Sequence, residues 1–203
     1  MINMKLQELR RQILHIITGT IILFGFYYDL LSSLSIFLIL ISGIILSFIV
    51  KYQRLVFISD FLELFQRQEE QDSVPAKGAI FFFLGVLLAT KIFTKDIALA
   101  SIAILTFGDS ISHIFGKEFG RVKNFLNNNS KKALEGSIFG AVCAFFGAVI
   151  FVRPFEAFLA SFIAMFAELA EMKLAEEIID DNLLIPLVAG TVITLLRKFF
   201  VGF

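Results

Sequence analysis

The chain of 203 residues is 58% hydrophobic, has a mean hydropathy of +0.85 and carries a formal net charge of zero. Soluble domains are typically about 45–50% apolar, so the composition excludes an ordinary water-soluble domain. The balanced charge gives no reason to expect a nucleic acid as partner, and a single cysteine excludes an intramolecular disulfide.

The apolar runs predict a polytopic membrane protein, an all-α transmembrane helical bundle that forms one domain over residues 1–203. A helix crosses a hydrocarbon core with roughly 17–25 mostly apolar residues. We expect seven spans, with six as the alternative, near residues 12–29, 31–50, 78–95, 96–115, 136–152, 155–170 and 183–203. The last span holds its length if Arg197 and Lys198 extend toward the membrane surface.

Two segments between the spans combine apolar positions at helical spacing with charged residues. We expect 51–72 to be an interfacial helix or an extension of the second span. The segment 171–181 has a similar pattern and is also predicted to be helical.

Basic residues predict the orientation, because cytoplasmic segments of membrane proteins are enriched in Lys and Arg. With the N-terminus inside, the inner segments hold thirteen of the 18 Lys and Arg residues. They are distributed as three in 1–11, four in 51–77, five in 117–132 and one at Lys173. The N-terminus and the 116–135 loop are therefore predicted to be cytoplasmic, in a membrane that we expect to be the cell membrane.

Ionisable side chains within spans cost about 2.5–3.5 kcal/mol each on insertion scales, so each is a functional-site hypothesis. His15, Asp109 and Glu168 all fall near the predicted cytoplasmic ends of their helices. Asp181 and Asn182 reach the same level at the start of the last span. Four spans thus direct polar groups into one layer, which scattered structural residues would not be expected to do.

Each ionisable residue also has a structural interpretation. His15 could hydrogen-bond a neighbouring carbonyl, and Glu168 could be an interfacial carboxylate grouped with Glu171. Asp109 is harder to explain structurally, because it follows Gly108 inside an apolar helix and has no cation four residues away.

The segment after Asp109 combines glycines with cations. Gly116 and Gly120 would let backbone approach a ligand, and their amides can cradle phosphate oxygens. The start of the next helix, at Glu135-Gly136-Ser137, offers further amides to an anion. Cations for a polyphosphate are present at Lys117, Arg121, Lys123, Lys131 and Lys132. These features fit Mg²⁺ and a nucleoside triphosphate, although the cations alone would also fit contact with anionic lipid.

The order of these motifs resembles the membrane polyprenol kinase family, which includes dolichol kinase, phytol kinase and CTP-dependent diacylglycerol kinase. The resemblance rests on Gly108-Asp109, Gly116, Phe119-Gly120-Arg121, Lys132, Glu135-Gly136-Ser137, Arg11 with His15-x-x-x-Gly19, Glu168, and Asp180-Asp181-Asn182-Leu183 followed by Ile185-Pro186-Leu187 and Gly190. Two positions depart from the family pattern: Ala133 replaces a frequent Ser or Thr, and Ser112 replaces a frequent Ala.

The resemblance implies transfer of a phosphoryl group from a nucleoside triphosphate, typically CTP, to the hydroxyl of a membrane lipid alcohol such as a polyprenol or a diacylglycerol. It implies catalytic roles for Asp109, His15 and Glu168, and Mg²⁺ ligation by Asp109 and Asp181. Nucleotide binding would involve Gly108, Gly116, Lys117, Gly120, Arg121, Lys132, Glu135, Gly136, Ser137 and Asn182. The expected partners are the lipid alcohol, CTP and the bilayer, and the expected active site faces the cytoplasm.

Two other functions stay open from the sequence. A CTP-dependent cytidylyltransferase would use the same nucleotide and a similar carboxylate site to make a CDP-lipid. A transporter would need polar groups through the membrane midplane, whereas the outer halves of the predicted spans are almost purely apolar. Gly136-x-x-x-Gly140 predicts close helix packing, either within one chain or between the chains of a homo-oligomer.

Overall fold

The computed structural model describes residues 2–53, 74–122, 124, 132–171, 173–174 and 177–200. These ranges are almost entirely helical. The helices are α1 (Ile2–Tyr27), α2 (Ser33–Tyr52), α3 (Lys77–Ile92), α4 (Lys95–Ala103), α5 (Ser110–Phe119), α6 (Leu134–Ala148), α7 (Pro154–Ala170) and α8 (Asp181–Phe200). A π-helical turn, Ile104–Asp109, joins α4 to α5, so that Lys95–Phe119 forms one continuous rod that we call the 95–119 helix.

Four of the described helices are long and apolar enough to cross a membrane: Leu6–Tyr27, Ser33–Tyr52, Lys95–Phe119 and Asp181–Phe199. The prediction of an all-helical membrane protein is therefore confirmed. The helices α3, α6 and α7 have 16, 15 and 17 residues, at or below the lower end of the range for a span. The count of seven spans stays a prediction.

Two boundaries differ from the predicted ones. The helix predicted to end at residue 115 continues to Phe119, so the polar loop begins one turn later. The prediction of a helix over 171–181 was wrong, since Lys173–Leu174 and Glu177–Ile178 pair as two short antiparallel strands. The left-handed backbone of Glu171 (φ 48°) ends α7 and turns the chain out of the helix. The predicted segment 51–72 lies outside the described residues beyond Gln53.

Small residues bring the central helices into close contact. A Cβ on Gly136 of α6 would lie 2.5 Å from the Ser112 carbonyl oxygen and 2.8 Å from Gly116 Cα, both on α5. A Cβ on Gly140 would lie 2.7 Å from the carbonyl oxygen of Gly108. The glycine pair of α6 thus packs within this chain, and small residues at such crossings let helix backbones approach closely. This contact fixes the 95–119 helix beside α6 and α7, where the polar residues converge.

Candidate active site

Asp109 lies at the junction between the π-helical turn and α5. A π turn is rare and frequently occurs at functional sites. Helix α1 passes this turn closely, because a Cβ on Gly19 would overlap the Thr106 side chain. The glycine of the His15-x-x-x-Gly19 motif therefore brings α1 against the turn that presents Asp109.

Three helices and one loop residue place five polar side chains together, and we call this group the site cluster: Asp109, His113, Lys132, Glu168 and Asp181. One ligand atom from each of the four members other than Lys132 lies within 4.8 Å of the others. Asp109 and Glu168 are 4% and 0% exposed. The prediction that polar groups from separate helices share one layer is confirmed for Asp109, Glu168 and Asp181.

Glu168 is held from two sides. The Ser112 hydroxyl on α5 donates to its carboxylate at 2.9 Å and 3.2 Å, and Lys132 Nζ lies 3.3 Å from Oε1. The alternative of an interfacial carboxylate is wrong, because the side chain is fully buried at the junction of α5 and α7. Ser112, noted above as a departure from the family pattern, is thus a direct partner of a site carboxylate.

Lys132 connects α7 to α8 at the edge of the site cluster. Its ammonium group donates to Asp181 Oδ2 at 2.7 Å and to the Glu168 carbonyl oxygen at 3.0 Å. Burial lowers the pKa of Lys132, but the carboxylates of Glu168 and Asp181 outweigh this effect and hold the pKa above its ordinary value. The lysine is therefore charged at neutral pH.

The start of α8 contributes more than Asp181. The backbone and side-chain amides of Asn182 both donate to Asp180 Oδ1 at 3.0 Å. Burial raises the pKa of Asp180, against the lowering effect of these two hydrogen bonds. Asn182 Oδ1 is buried without a hydrogen-bond partner among the described residues, so the Asp-Asp-Asn segment retains an unused acceptor.

His15 lies on α1 with its ring 4.6 Å from the ring of Phe82 on α3. Its Nε2 is buried and has no hydrogen-bond partner among the described residues, which argues against a purely structural hydrogen bond at that atom. Asp109 and His113 are near enough to act on it electrostatically. The structure therefore places His15 beside the site cluster.

The sequence interpretation missed His113. It lies four residues after Asp109, and its Nε2 is 3.3 Å from Asp109 Oδ1, so the statement that no cation lies four residues from Asp109 overlooked a histidine. The signal was available, because residues four apart lie on the same face of a helix. Asp109 Oδ1 nevertheless has no partner with hydrogen-bond geometry among the described residues.

The glycines predicted to cradle phosphate also pack helices. Gly116 lies inside α5, against Gly136 of α6, and a Cβ on Gly120 would overlap the Gly116 carbonyl and Ala133. Their close approach is to protein backbone, so a phosphate cradle at these two glycines stays a prediction. Gly108 likewise faces α6 and α7, since a Cβ there would lie 2.7 Å from Met165 Sδ.

Two carboxylates, of Glu135 and Glu8, contact the segment that is predicted to bind the nucleotide. Glu135 accepts from the backbone amides of Arg121 and Val122 at 3.1 Å and 3.0 Å, which fixes the chain after α5 to the start of α6. Ser137, which is buried, lies in the first turn of α6. Glu8 of α1 pairs with Lys117 at 2.8 Å and with Arg11 at 2.6 Å. The predicted cations Lys123 and Lys131 lie outside the described residues.

A divalent cation fits the site cluster by charge and by ligand type. The three carboxylates and the Lys132 ammonium leave two negative charges, which one divalent cation would neutralise. Carboxylate oxygens are the preferred ligands of Mg²⁺, and an unpartnered buried Asp109 oxygen is a group that such an ion would satisfy.

A second polar cluster lies far along the same three helices, and we call Asp96, Glu156 and Arg197 the distal cluster. Arg197 of α8 makes two contacts with Glu156 of α7, at 3.1 Å and 3.2 Å, and one with Asp96 of the 95–119 helix at 2.5 Å. These residues are 12–16 positions from the site cluster on each helix, or roughly 18–24 Å at 1.5 Å per residue. Arg197 is thus paired within the protein rather than only extended toward the membrane surface.

Comparison with known proteins finds relatives but no matching family model, and no solved structure matches. The chain is 30% identical over 193 residues to an uncharacterized protein of Methanocaldococcus jannaschii, covering 93% of each sequence. It is 26% identical over 144 residues to CTP-dependent diacylglycerol kinase 1 of Schizosaccharomyces pombe, covering 63% of each.

It is also 26% identical over 125 residues to the chloroplastic phytol kinase 1 of Arabidopsis thaliana, covering 55% of this chain and 40% of that one. The chain thus spans less than two thirds of the length of either named kinase. The resemblance expected from the motifs is confirmed, because the two named relatives, a CTP-dependent diacylglycerol kinase and a phytol kinase, are of the kinds that make up the membrane polyprenol kinase family.

Proposed function

We propose that the protein is a CTP-dependent lipid kinase that phosphorylates the terminal hydroxyl of a membrane lipid alcohol, of polyprenol or diacylglycerol type, at the cytoplasmic membrane face. The observation that carries the proposal is the site cluster, in which three carboxylates from separate helices, those of Asp109 and Glu168 buried and that of Asp181 partly buried, meet beside a charged lysine. Such a cluster is costly inside a membrane protein unless it serves a ligand or a reaction.

Phosphoryl transfer depends mainly on positioning and on neutralising charge at the phosphates. The oxygen of the lipid alcohol forms a bond to the γ-phosphorus of CTP, and the bond from that phosphorus to the bridging oxygen breaks. CDP leaves, and the proton of the alcohol must be accepted by a nearby base. The protein therefore needs a site for a divalent cation, cations for the phosphates and a group that orients the hydroxyl.

The described residues can supply each of these. Asp109, Glu168 and Asp181 would hold Mg²⁺, which neutralises phosphate charge when it is bound. Lys132 stands at the edge of the carboxylates, and its charge at neutral pH suits contact with a phosphate oxygen. His15 has an unpartnered buried nitrogen beside the cluster, and we assign to it the binding of the alcohol hydroxyl and the acceptance of its proton.

Lys117 and Arg121 extend this positive charge away from the cluster, along the segment that Glu135 fixes to α6. We place the nucleotide on this segment, so that its γ-phosphate reaches Lys132. Half-exposed Lys117 supports access from the aqueous phase, and the bias of basic residues toward this side supports a cytoplasmic orientation.

The test uses purified protein in detergent with Mg²⁺, CTP labelled at either the α- or the γ-phosphate, and a panel of lipid alcohols and phosphatidic acid. Transfer of γ-label to a lipid alcohol with release of CDP is expected, and the labelled lipid identifies the acceptor class. Transfer of α-label to phosphatidic acid with release of pyrophosphate would replace the kinase by a cytidylyltransferase. Absence of transfer from either position to any acceptor would overturn both enzymatic functions.

A further inference from the structure

His113 contributes a nitrogen atom to the site cluster, in which the other possible metal-ligand atoms are carboxylate oxygens. Its Nε2 is 3.3 Å from Asp109 Oδ1, and the same imidazole lies within 4.8 Å of ligand oxygens of Glu168 and Asp181. The 95–119 helix therefore presents two donors four residues apart, on one face, toward carboxylates from α7 and α8.

The contact between Asp109 and His113 does not use up their bonding capacity. Asp109 is 4% exposed, and its Oδ1, the atom nearest to the imidazole, has no hydrogen-bond partner among the described residues. A buried carboxylate oxygen without a partner costs free energy, and most such atoms in proteins are satisfied by protein, water or an ion. An ion between Asp109 and His113 would satisfy both side chains at once.

The charge of the cluster fits a neutral imidazole as the fourth ligand. Lys132 contacts Glu168 and Asp181 on one side, and together with the three carboxylates it leaves two negative charges. One dication neutralises them without any contribution from His113. A protonated His113 would instead leave a single negative charge and no donor atom at Nε2.

We infer that the site cluster is a mixed nitrogen–oxygen metal site in which His113 is a ligand, and that it binds a transition dication such as Mn²⁺ more tightly than Mg²⁺. Imidazole is a good ligand for first-row transition metals, whereas Mg²⁺ selects oxygen ligands and retains water. The role of the ion in the reaction rests on the proposed function, but binding of the ion can be measured without CTP or lipid.

The test is Mn²⁺ binding followed by electron paramagnetic resonance on detergent-purified protein carrying no histidine tag. His113 and His15 are the only two histidines of the chain, so nitrogen coupling to bound Mn²⁺ can be assigned. We expect one Mn²⁺ per chain with coupling to one imidazole nitrogen, and displacement by Mg²⁺ only at concentrations at least about ten-fold higher. Labelling the unmodified protein with ¹⁵N-histidine should change this coupling, which would identify the nitrogen as one of histidine without the need for a variant.

His113→Gln should abolish the nitrogen coupling and weaken Mn²⁺ binding by about 10–100-fold, the range seen when a metal site loses a supporting group, with a smaller effect on Mg²⁺. His15→Gln is the matched control and should keep the coupling. Absence of nitrogen coupling in the unmodified protein, its persistence in His113→Gln, or equal binding of Mg²⁺ and Mn²⁺ would overturn the inference. Label transfer from CTP without nitrogen coupling would refute the nitrogen ligand alone, whereas coupling without label transfer would refute the kinase alone.

Discussion

The 95–119 helix, α7 and α8 each contribute to both the site cluster and the distal cluster, yet the two clusters are satisfied differently. In the distal cluster, Arg197 meets Glu156 through two contacts and Asp96 through a third. Glu156 also accepts from the backbone amide at the start of α7. No atom of this cluster is among the buried, unpartnered side-chain atoms found in the described residues.

The site cluster is the opposite case. It holds one lysine against three carboxylates, and Asp109 Oδ1 lacks a hydrogen bond. Asn182 and His15, beside it, also have buried unpartnered atoms. Polar groups satisfied by protein stabilise a fold, whereas groups left open in a buried cluster indicate a place for a ligand. The two clusters should therefore separate in experiment: changes in the site cluster should reduce activity, whereas changes in the distal cluster should reduce stability alone.

The variant with the largest combined effect should be Lys132→Met, because it leaves the buried Glu168 and the partly buried Asp181 without their cation. Removing one partner of a buried ion pair costs about 3–5 kcal/mol, and under the proposed function the loss of this cation should abolish label transfer from CTP. Thermal unfolding in detergent and the transfer assay measure the two effects. Lys95→Met is the control, since Lys95 pairs with Asp29 on the surface and exposed pairs contribute about 0–1 kcal/mol.

The difference in stability between the unmodified protein and Lys132→Met should depend on pH with a definite sign. The pKa of Lys132 is raised in the folded protein, despite burial, by Glu168 and Asp181. A raised pKa means that the stabilisation is complete below the ordinary lysine value of 10.5 and is lost as the pH rises through the higher folded value. The stability difference between the unmodified protein and Lys132→Met should thus stay constant from neutral pH to about pH 9 and shrink above 10.5. A difference that shrank between neutral pH and pH 9 would contradict the assignment.

Gly136→Ala tests whether helix packing positions the site cluster. The new Cβ would press on the Ser112 carbonyl at 2.5 Å, and overpacking of this kind typically costs about 1–3 kcal/mol. Because Ser112 holds Glu168, we also expect transfer activity to fall in the folded fraction. Gly43→Ala is the matched control, as a Cβ there meets nothing within 4 Å; equal behaviour of the two variants would refute the packing role.

Glu156→Gln should affect stability alone. It removes the charge of one of the two carboxylates that pair with Arg197 in the distal cluster, and a hydrogen bond to a charged group contributes about 1.5–3 kcal/mol. The unfolding temperature should fall, while the initial rate of label transfer measured on folded protein stays within about two-fold. A loss of transfer as large as that of Lys132→Met would show that the distal cluster also controls activity.

Glu8→Gln should have the smallest effect. Glu8 pairs with Lys117 at 2.8 Å, so under the proposed function it would compete with the nucleotide phosphates for that cation. We expect the KM for CTP to fall a few-fold with little change in kcat, as measured by initial rates over a range of CTP concentrations. A rise in KM would mean instead that Glu8 positions Lys117 and Arg11 for the nucleotide.

The helices could be predicted because long apolar runs set their positions, and the shared depth of Asp109, Glu168 and Asp181 followed from those positions. The paired strands Lys173–Leu174 and Glu177–Ile178 could not be predicted, since their amphipathic sequence suits a helix, whereas the left-handed backbone at Glu171 ends α7 before them. Tertiary context often overrides local propensity in this way.

Two contacts in the clusters show what local sequence patterns can and cannot predict. The pairing of Arg197 with Glu156 joins residues 41 positions apart, which no local pattern reveals, and a basic residue near a helix end is more simply interpreted as reaching the membrane surface. His113 differs, because its distance of four residues from Asp109 is a local signal that was overlooked.

The most direct test of the central claim replaces Asp109 by Asn and measures label transfer from γ-labelled CTP and thermal unfolding on the same preparation. The change removes a buried charge that has no hydrogen-bonded partner at Oδ1, so the unfolding temperature should stay unchanged or rise, while transfer should fall at least about a thousand-fold, as for other charge-stabilising groups in phosphoryl transfer. Asp29→Asn, at an exposed aspartate on the surface, should change neither quantity. Transfer by Asp109→Asn at the rate of the unmodified protein would contradict the account, because the site cluster would then not be the place of the reaction.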